Sequence, residues 1–159
     1  MNIKILCVGK IKEKFYRDAI AEYTKRLSRY CKLQISEVSD ERTPDKCSEV
    51  EKQQILEKEA VRLLAHIRDT DHVIALAIDG RAPDSVAFSE HMESLAVLGK
   101  SSLVFVIGGS LGLHNNILCR SNEQISFSAM TFPHQLMRVI LLEQLYRSYR
   151  IRNHEPYHK

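Results

Sequence analysis

Tryptophan is absent, and chain breakers are sparse, with six glycines and four prolines in 159 residues. That scarcity leaves no room for a proline-rich linker, a flexible tether or a low-complexity tract. No apolar run approaches membrane length, and the first residues lack a signal-peptide core followed by a small-residue cleavage site; the cytoplasm is the expected compartment. The four cysteines, Cys7, Cys31, Cys47 and Cys119, form no C-x-x-C pair. Neither a zinc ribbon nor a thioredoxin-like site is therefore indicated. Charge of one sign is lacking too: 23 basic residues face 20 acidic ones, a net charge of +3.

What is present is enough for one ordinary domain, residues 1–159, with 44% hydrophobic and 27% charged residues. The mild positive charge is unevenly placed. Lys4 to Lys32 is basic, as is the segment from Arg138 to Lys159, while Glu37 to Glu59 is acid-rich. Two basic ends suggest a polyanionic partner, although a solvated surface would look the same.

Residues 3–8 read as a buried strand. From Lys12 the pattern turns helical, with Tyr16, Ile20, Tyr23, Leu27 and Tyr30 on one stripe. Leu33 to Val38 reads as the next strand. Thr43-Pro44 can open a helix, and Ser48 with Glu51 spells a capping box. His72 to Ile78 is a continuous apolar strand, which Asp79-Gly80 is expected to close as a turn. Ser85 to Leu98 reads as a helix ended by Gly99, Leu103 to Ile107 as a strand, Asn116 to Cys119 as a short helix and Gln124 to Phe127 as a strand. Pro133 opens the last helix. Apolar strands alternating with helices imply an α/β fold, a mostly parallel sheet with helices on both faces. Ligands in such folds bind where the strands' carboxyl ends meet loops. Three ends stand out: Leu76 to Gly80, Ile107 to Gly112 and Phe127 to Pro133.

Gly108-Gly109-Ser110-Leu111-Gly112 follows a central strand directly. Glycines there let a ligand approach the backbone, but the run lacks the Lys-Ser/Thr of a P-loop and the spacing of a dinucleotide fingerprint. A tight turn would also explain it. In Ser126 to Pro133, small hydroxyl residues alternate with apolar ones ahead of a helix, which would suit wrapping an adenine. His154-Glu155-Pro156-Tyr157-His158 matches H-E-x-x-H literally. Pro156 would break the continuous helix that a zinc site of that type needs, so no metal site is expected. His66, His72, His91 and His114 are isolated and read as structural or surface residues, whereas His134 adjoins the candidate ligand loop.

Three separated segments, ILCVGKIKEKFY, LVFVIGGSLGLH and SFSAMTFPHQLMRVILLEQLYRSYRI with the terminal PYHK, together resemble the ribosomal RNA large subunit methyltransferase H family of the SPOUT class. The resemblance runs from end to end. It implies a C-terminal part threaded as a trefoil knot, which connection rules disfavour by default. It further implies S-adenosylmethionine as cofactor and a homodimer whose protomers share the substrate cleft. The implied reaction is methylation of N3 of a pseudouridine in helix 69 of 23S rRNA, in assembled ribosomes. Matched by motif, the cofactor pocket would comprise Leu76, Gly108, Phe127, Ser128, Ala129, Met130, Thr131 and Phe132. Leu111 and Ala129 depart from the residues frequent in that family, and both would contribute backbone.

Methyl transfer from a sulfonium needs alignment and the exclusion of water, and the N3 proton must leave. Neither task requires a metal. Candidates for the proton step are His134 and, in the basic tail, Arg152, Tyr157 and His158. The last helix is apolar on more than one face, which also points to a homodimer. The basic first helix should add RNA affinity that falls with salt. Rival readings are a ribosome-binding factor without catalysis and a nucleotide-binding dehydrogenase.

Overall fold

Strands that are apolar at every position need cover on both sides, and the helices supply it. The computed structural model describes all 159 residues. The elements run β1 (Asn2–Val8), α1 (Lys14–Leu27), β2 (Lys32–Val38), α2 (Glu49–Leu64), β3 (His72–Arg81), α3 (Ser85–Val97), β4 (Ser102–Ile107), α4 (Asn115–Arg120), β5 (Glu123–Ile125) and α5 (His134–Arg152). One sheet forms in the order β2-β1-β4-β3-β5, with every pairing parallel.

Alternation along the central strands sorts side chains onto two layers. Ile3, Ile5 and Cys7 of β1 and Leu103, Phe105 and Ile107 of β4 face α1, α3 and α5, whose Leu27, Phe88, Met92, Leu141, Leu142 and Leu145 complete the larger core. Leu6, Val8, Val104 and Val106 face the other way, against Ala60 and Leu63 of α2 and Ile117 of α4. Cys7 lies wholly inside the larger core, and burial pushes its thiol up to about 12. No helix is long and apolar enough to cross a membrane.

Local signals explain most boundaries. The Ser48 hydroxyl accepts from Glu51 N–H and the Glu51 carboxylate from Ser48 N–H, a complete capping box on α2. Thr43-Pro44 precedes this cap and opens no helix, which corrects that expectation. Asp84 caps α3 through Ala87 N–H, and Gly99 ends it at φ 76°. α1 stops at Leu27, where Tyr30 and Cys31 N–H groups both donate to the Leu27 carbonyl; Tyr30 therefore lies past the helix.

Asp79-Gly80 is also not a turn. β3 continues to Arg81 with an irregular register against β5 between Leu76 and Arg81. A Cβ on Gly80 would lie 2.7 Å from the backbone of Gln124, so this glycine permits close approach of β5.

Candidate active site

Because all five strands are parallel, their carboxyl ends share one edge of the sheet. Three of these ends enclose a cleft of about 690 Å³, within the usual size range for small-molecule sites. Leu76, Ala77 and Ile78 line it from β3 and Ile107 from β4. Gly108 to Gly112 follow from the glycine loop, then Ile125 to Ser128 and Met130 to Pro133, and finally His134, Gln135 and Met137 of α5.

The glycine loop is shaped by its lack of side chains. Gly112 N–H donates to the Gly109 carbonyl at 3.1 Å, and Gly112 takes φ 85°. A Cβ on Gly108 would lie 2.2 Å from the Gly112 carbonyl oxygen, so no other residue fits there. Behind the loop Glu59 is 5% exposed; it accepts from Glu41 N–H, and burial pushes its carboxyl above the ordinary range.

The second wall holds itself in shape. Ser126 Oγ donates to the Ser128 carbonyl at 3.1 Å, and Ser128 Oγ accepts from Met130 N–H at 2.9 Å. The hydroxyls thus curl the segment. Phe127 is steadied by an edge-to-face contact with Phe88 at 5.8 Å. Met130 stays 73% exposed at the rim.

His134 opens α5 at the cleft, and its Nε2 would lie 3.8 Å from a Cβ on Gly9. Burial, then the charge of Arg138, hold its imidazole below the ordinary value, against the opposing pull of Asp40 and Glu13. Arg138, one turn further along, is 2% exposed. It donates through Nη1 to Glu37 at 2.7 Å and through Nη2 to the carbonyls of Val8 at 2.9 Å and Gly9 at 2.7 Å. This overturns its count among the basic surface residues: Arg138 is a buried tie between α5 and the ends of β1 and β2. Its position four residues after His134 was the available signal, but the paired acid lies a hundred residues away.

Of the residues expected at the cofactor site, Leu76, Gly108, Phe127, Ser128, Met130, Thr131 and Phe132 line the cleft, and Ala129 does not. Of the expected proton-handling residues only His134 does. Arg152 is the last residue of α5, and Tyr157 and His158 follow it in a tail that folds back along the helix. There Tyr157 Oη donates to Glu143 at 3.0 Å, Arg147 lies 4.7 Å over its ring, and His158 Nδ1 is 3.2 Å from Arg147. Burial and Glu143 hold the Tyr157 phenol protonated far above the neutral range. The segment after Arg152 is not helical, His154 takes φ 52°, and Glu155 is engaged by Tyr30 and Arg150. His72 and His91 flank Glu123, and His114 caps α4.

The parallel α/β sheet, with its cleft of glycines and hydroxyl residues at the strand ends, has the architecture of a class of methyltransferases. A family model described as "Predicted SPOUT methyltransferase" matches residues 1–158, and the chain belongs to that family. It is 58% identical over its full length, and that of the relative, to the ribosomal RNA large subunit methyltransferase H of Clostridium tetani, and 55% identical, again end to end, to that of Bacillus cytotoxicus. Among solved structures it is similar in fold to a probable methylase family protein from Haemophilus influenzae Rd KW20. There the TM-score is 0.54 at 15% identity, over 99% of this chain and 70% of that one.

Proposed function

We propose that this protein is an S-adenosylmethionine-dependent methyltransferase acting on N3 of a pseudouridine in helix 69 of 23S rRNA. It works on assembled ribosomes in the cytoplasm, as a homodimer, with its C-terminal part threaded as the trefoil knot that its family implies. The observation that carries this reading is the cleft of about 690 Å³ at three strand ends. It stands in a chain 58% identical, end to end, to a relative named as a ribosomal RNA methyltransferase.

The lining fits such a cofactor. Gly108 admits no side chain because the Gly112 backbone folds back over it, which sets the shape of the loop at the cleft, while Leu76, Ile107, Phe127 and Phe132 offer apolar walls for an adenosyl moiety. When bound, S-adenosylmethionine supplies an electrophilic methyl group on a sulfonium. The protein's share is placement, dryness and proton removal. His134 is the group at the cleft able to accept the N3 proton, because its imidazole stays neutral at neutral pH. Arg152, Tyr157 and His158 do not line the cleft of their own chain, so we assign them to the cleft of a second copy. Leu136, Val139 and Ile140 of α5 remain half-buried in the single chain, as an interface helix would leave them.

The test is transfer of labelled methyl from S-adenosylmethionine to ribosomes from cells lacking the modification, with the modified nucleotide mapped. Label on a helix 69 pseudouridine is the expected result. If ribosomes that accept methyl from an active relative take none from this protein, the reading of a ribosome-binding factor replaces it.

A further inference from the structure

Phe15 leaves 65% of its surface in water. Its ring touches only one other aromatic, Tyr16, at 4.3 Å between centroids. It stands on the first turn of α1, just after the loop that leaves β1, at the same edge of the sheet as the cleft. That loop is firmly mounted. Ile11 N–H donates to Glu37 Oε2 at 3.1 Å, the oxygen that also receives Arg138 at 2.7 Å. Arg17 clamps the Lys12 carbonyl at 2.6 Å. The Arg138–Glu37 pair that seats the start of α5 thus fixes the base of Phe15 as well, and Glu13 in the same loop is close enough to act on His134.

The surroundings of the ring are cationic. Lys10, Lys12 and Lys14 are all exposed; Lys14 has only a surface pair with Asp18, of the kind that polyanions displace readily. An exposed aromatic face beside an anchored loop, with lysines just before it in the chain, matches the chemistry of an unpaired nucleotide, with a base to stack and phosphates on either side. A protein partner would be better served by an apolar surround, which Phe15 lacks.

We infer that Phe15 is a stacking platform for an unpaired base of the RNA, with Lys10, Lys12 and Lys14 receiving the neighbouring phosphates. This rests on the RNA-methylation reading and goes further, naming the surface that selects single-stranded substrate.

Two measurements test it. In methyl transfer to ribosomes, Phe15→Ala is expected to raise KM for the ribosome about tenfold with kcat and cofactor affinity unchanged. Phe15→Leu should stay impaired and Phe15→Trp should act as the parent does. The chain has no tryptophan, so Phe15→Trp also carries a lone indole at the site. Its fluorescence should be quenched saturably by an unstructured single-stranded RNA oligonucleotide of mixed sequence, and far more weakly by the same strand in a duplex.

Parent-like KM in Phe15→Ala, with no quenching in Phe15→Trp, overturns the platform even while RNA methylation stands. Rescue by leucine, or dissociation of a dimer in Phe15→Ala by light scattering, overturns it in favour of an apolar contact between copies. Quenching by single strands in a protein that transfers no methyl to RNA upholds the platform and defeats the methylation reading. Absence of both quenching and transfer defeats both.

Discussion

The two ends of α5 both hold arginines in place, but in different ways. At the cleft, Arg138 is 2% exposed and is bound by two main-chain carbonyls and the carboxylate of Glu37. Val8 belongs to β1 and Gly9 is tied to β2 through its N–H to the Val38 carbonyl at 2.8 Å, so these acceptors cannot rotate away. At the other end, Arg147 and Arg150 keep 25% and 18% of their side chains exposed and pair with Glu143 and Glu155. They also lie over the rings of Tyr157 and Tyr146 at 4.7 and 5.8 Å. Apart from the Pro156 carbonyl, which accepts from Arg150 at 3.2 Å, these partners are side chains, and Glu155, Pro156 and Tyr157 all belong to a short tail. The first arrangement holds a geometry; the second holds a segment that can be exchanged for another of like chemistry.

The sharpest way to test the fixed end is to add one methyl group to its loop. Gly108→Ala would drive Cβ into the Gly112 carbonyl. We expect no measurable S-adenosylmethionine binding by calorimetry and a stability loss of about 2 kcal/mol. Gly99→Ala is the control: that glycine has open space and φ 76°, so it should lose about 1 kcal/mol from backbone strain alone and bind cofactor normally. Binding by Gly108→Ala at parental affinity would mean that the loop is only a turn.

Deleting Pro156–Lys159 tests the exchangeable end. Methyl transfer should fall by about a hundredfold or more, with cofactor affinity unchanged and stability lowered by about 1 kcal/mol. Full activity in the truncation would leave the tail no part in the reaction. A smaller effect, read in urea denaturation, comes from neutralising the arginines one at a time. Arg138→Met strands Glu37 and two carbonyls and should cost about 3 kcal/mol, less than a fully enclosed pair because Glu37 keeps 35% of its side chain exposed. Adding Glu37→Gln should recover about 1 kcal/mol. Arg147→Met should cost no more than about 1 kcal/mol. Equal costs at the two ends would erase the distinction.

The same contrast governs how much could be read from the sequence. The ten elements and their order were legible, because apolar strands and periodic helices carry local patterns. The cleft was legible as three strand ends, because glycine and hydroxyl runs there serve no core. What failed were signals whose meaning lies across the fold. Asp79-Gly80 spells a turn, but Gly80 serves the approach of Gln124 from β5. Thr43-Pro44 spells a helix start, yet the capping box at Ser48 is where backbone donors are satisfied. Arg138 looks like one more basic surface residue, and only the meeting of β1, β2 and α5 makes it a buried tie. That Arg152, Tyr157 and His158 stay out of the cleft follows from a tail folded back on Glu143 and Arg147, and whose cleft they serve depends on a second copy.

His134 gives the smallest and most specific effect. Its imidazole is held below the ordinary value by burial first and by Arg138 second. The unfolded chain protonates this residue in the ordinary imidazole range and the folded chain only at lower pH. Within that window the unfolded state binds more protons, so stability falls as pH drops through the ordinary range and levels off below the folded value. His134→Gln should flatten that part of the profile. In the pH profile of kcat/KM, the acid limb should lie below the ordinary imidazole range. Asp40→Asn, which removes an exposed charge that raises His134, should move the limb lower still. Titration of the His134 ring by proton NMR should track both shifts. A limb at or above the ordinary range, or one that ignores Asp40, would show that His134 is not the group that takes the proton.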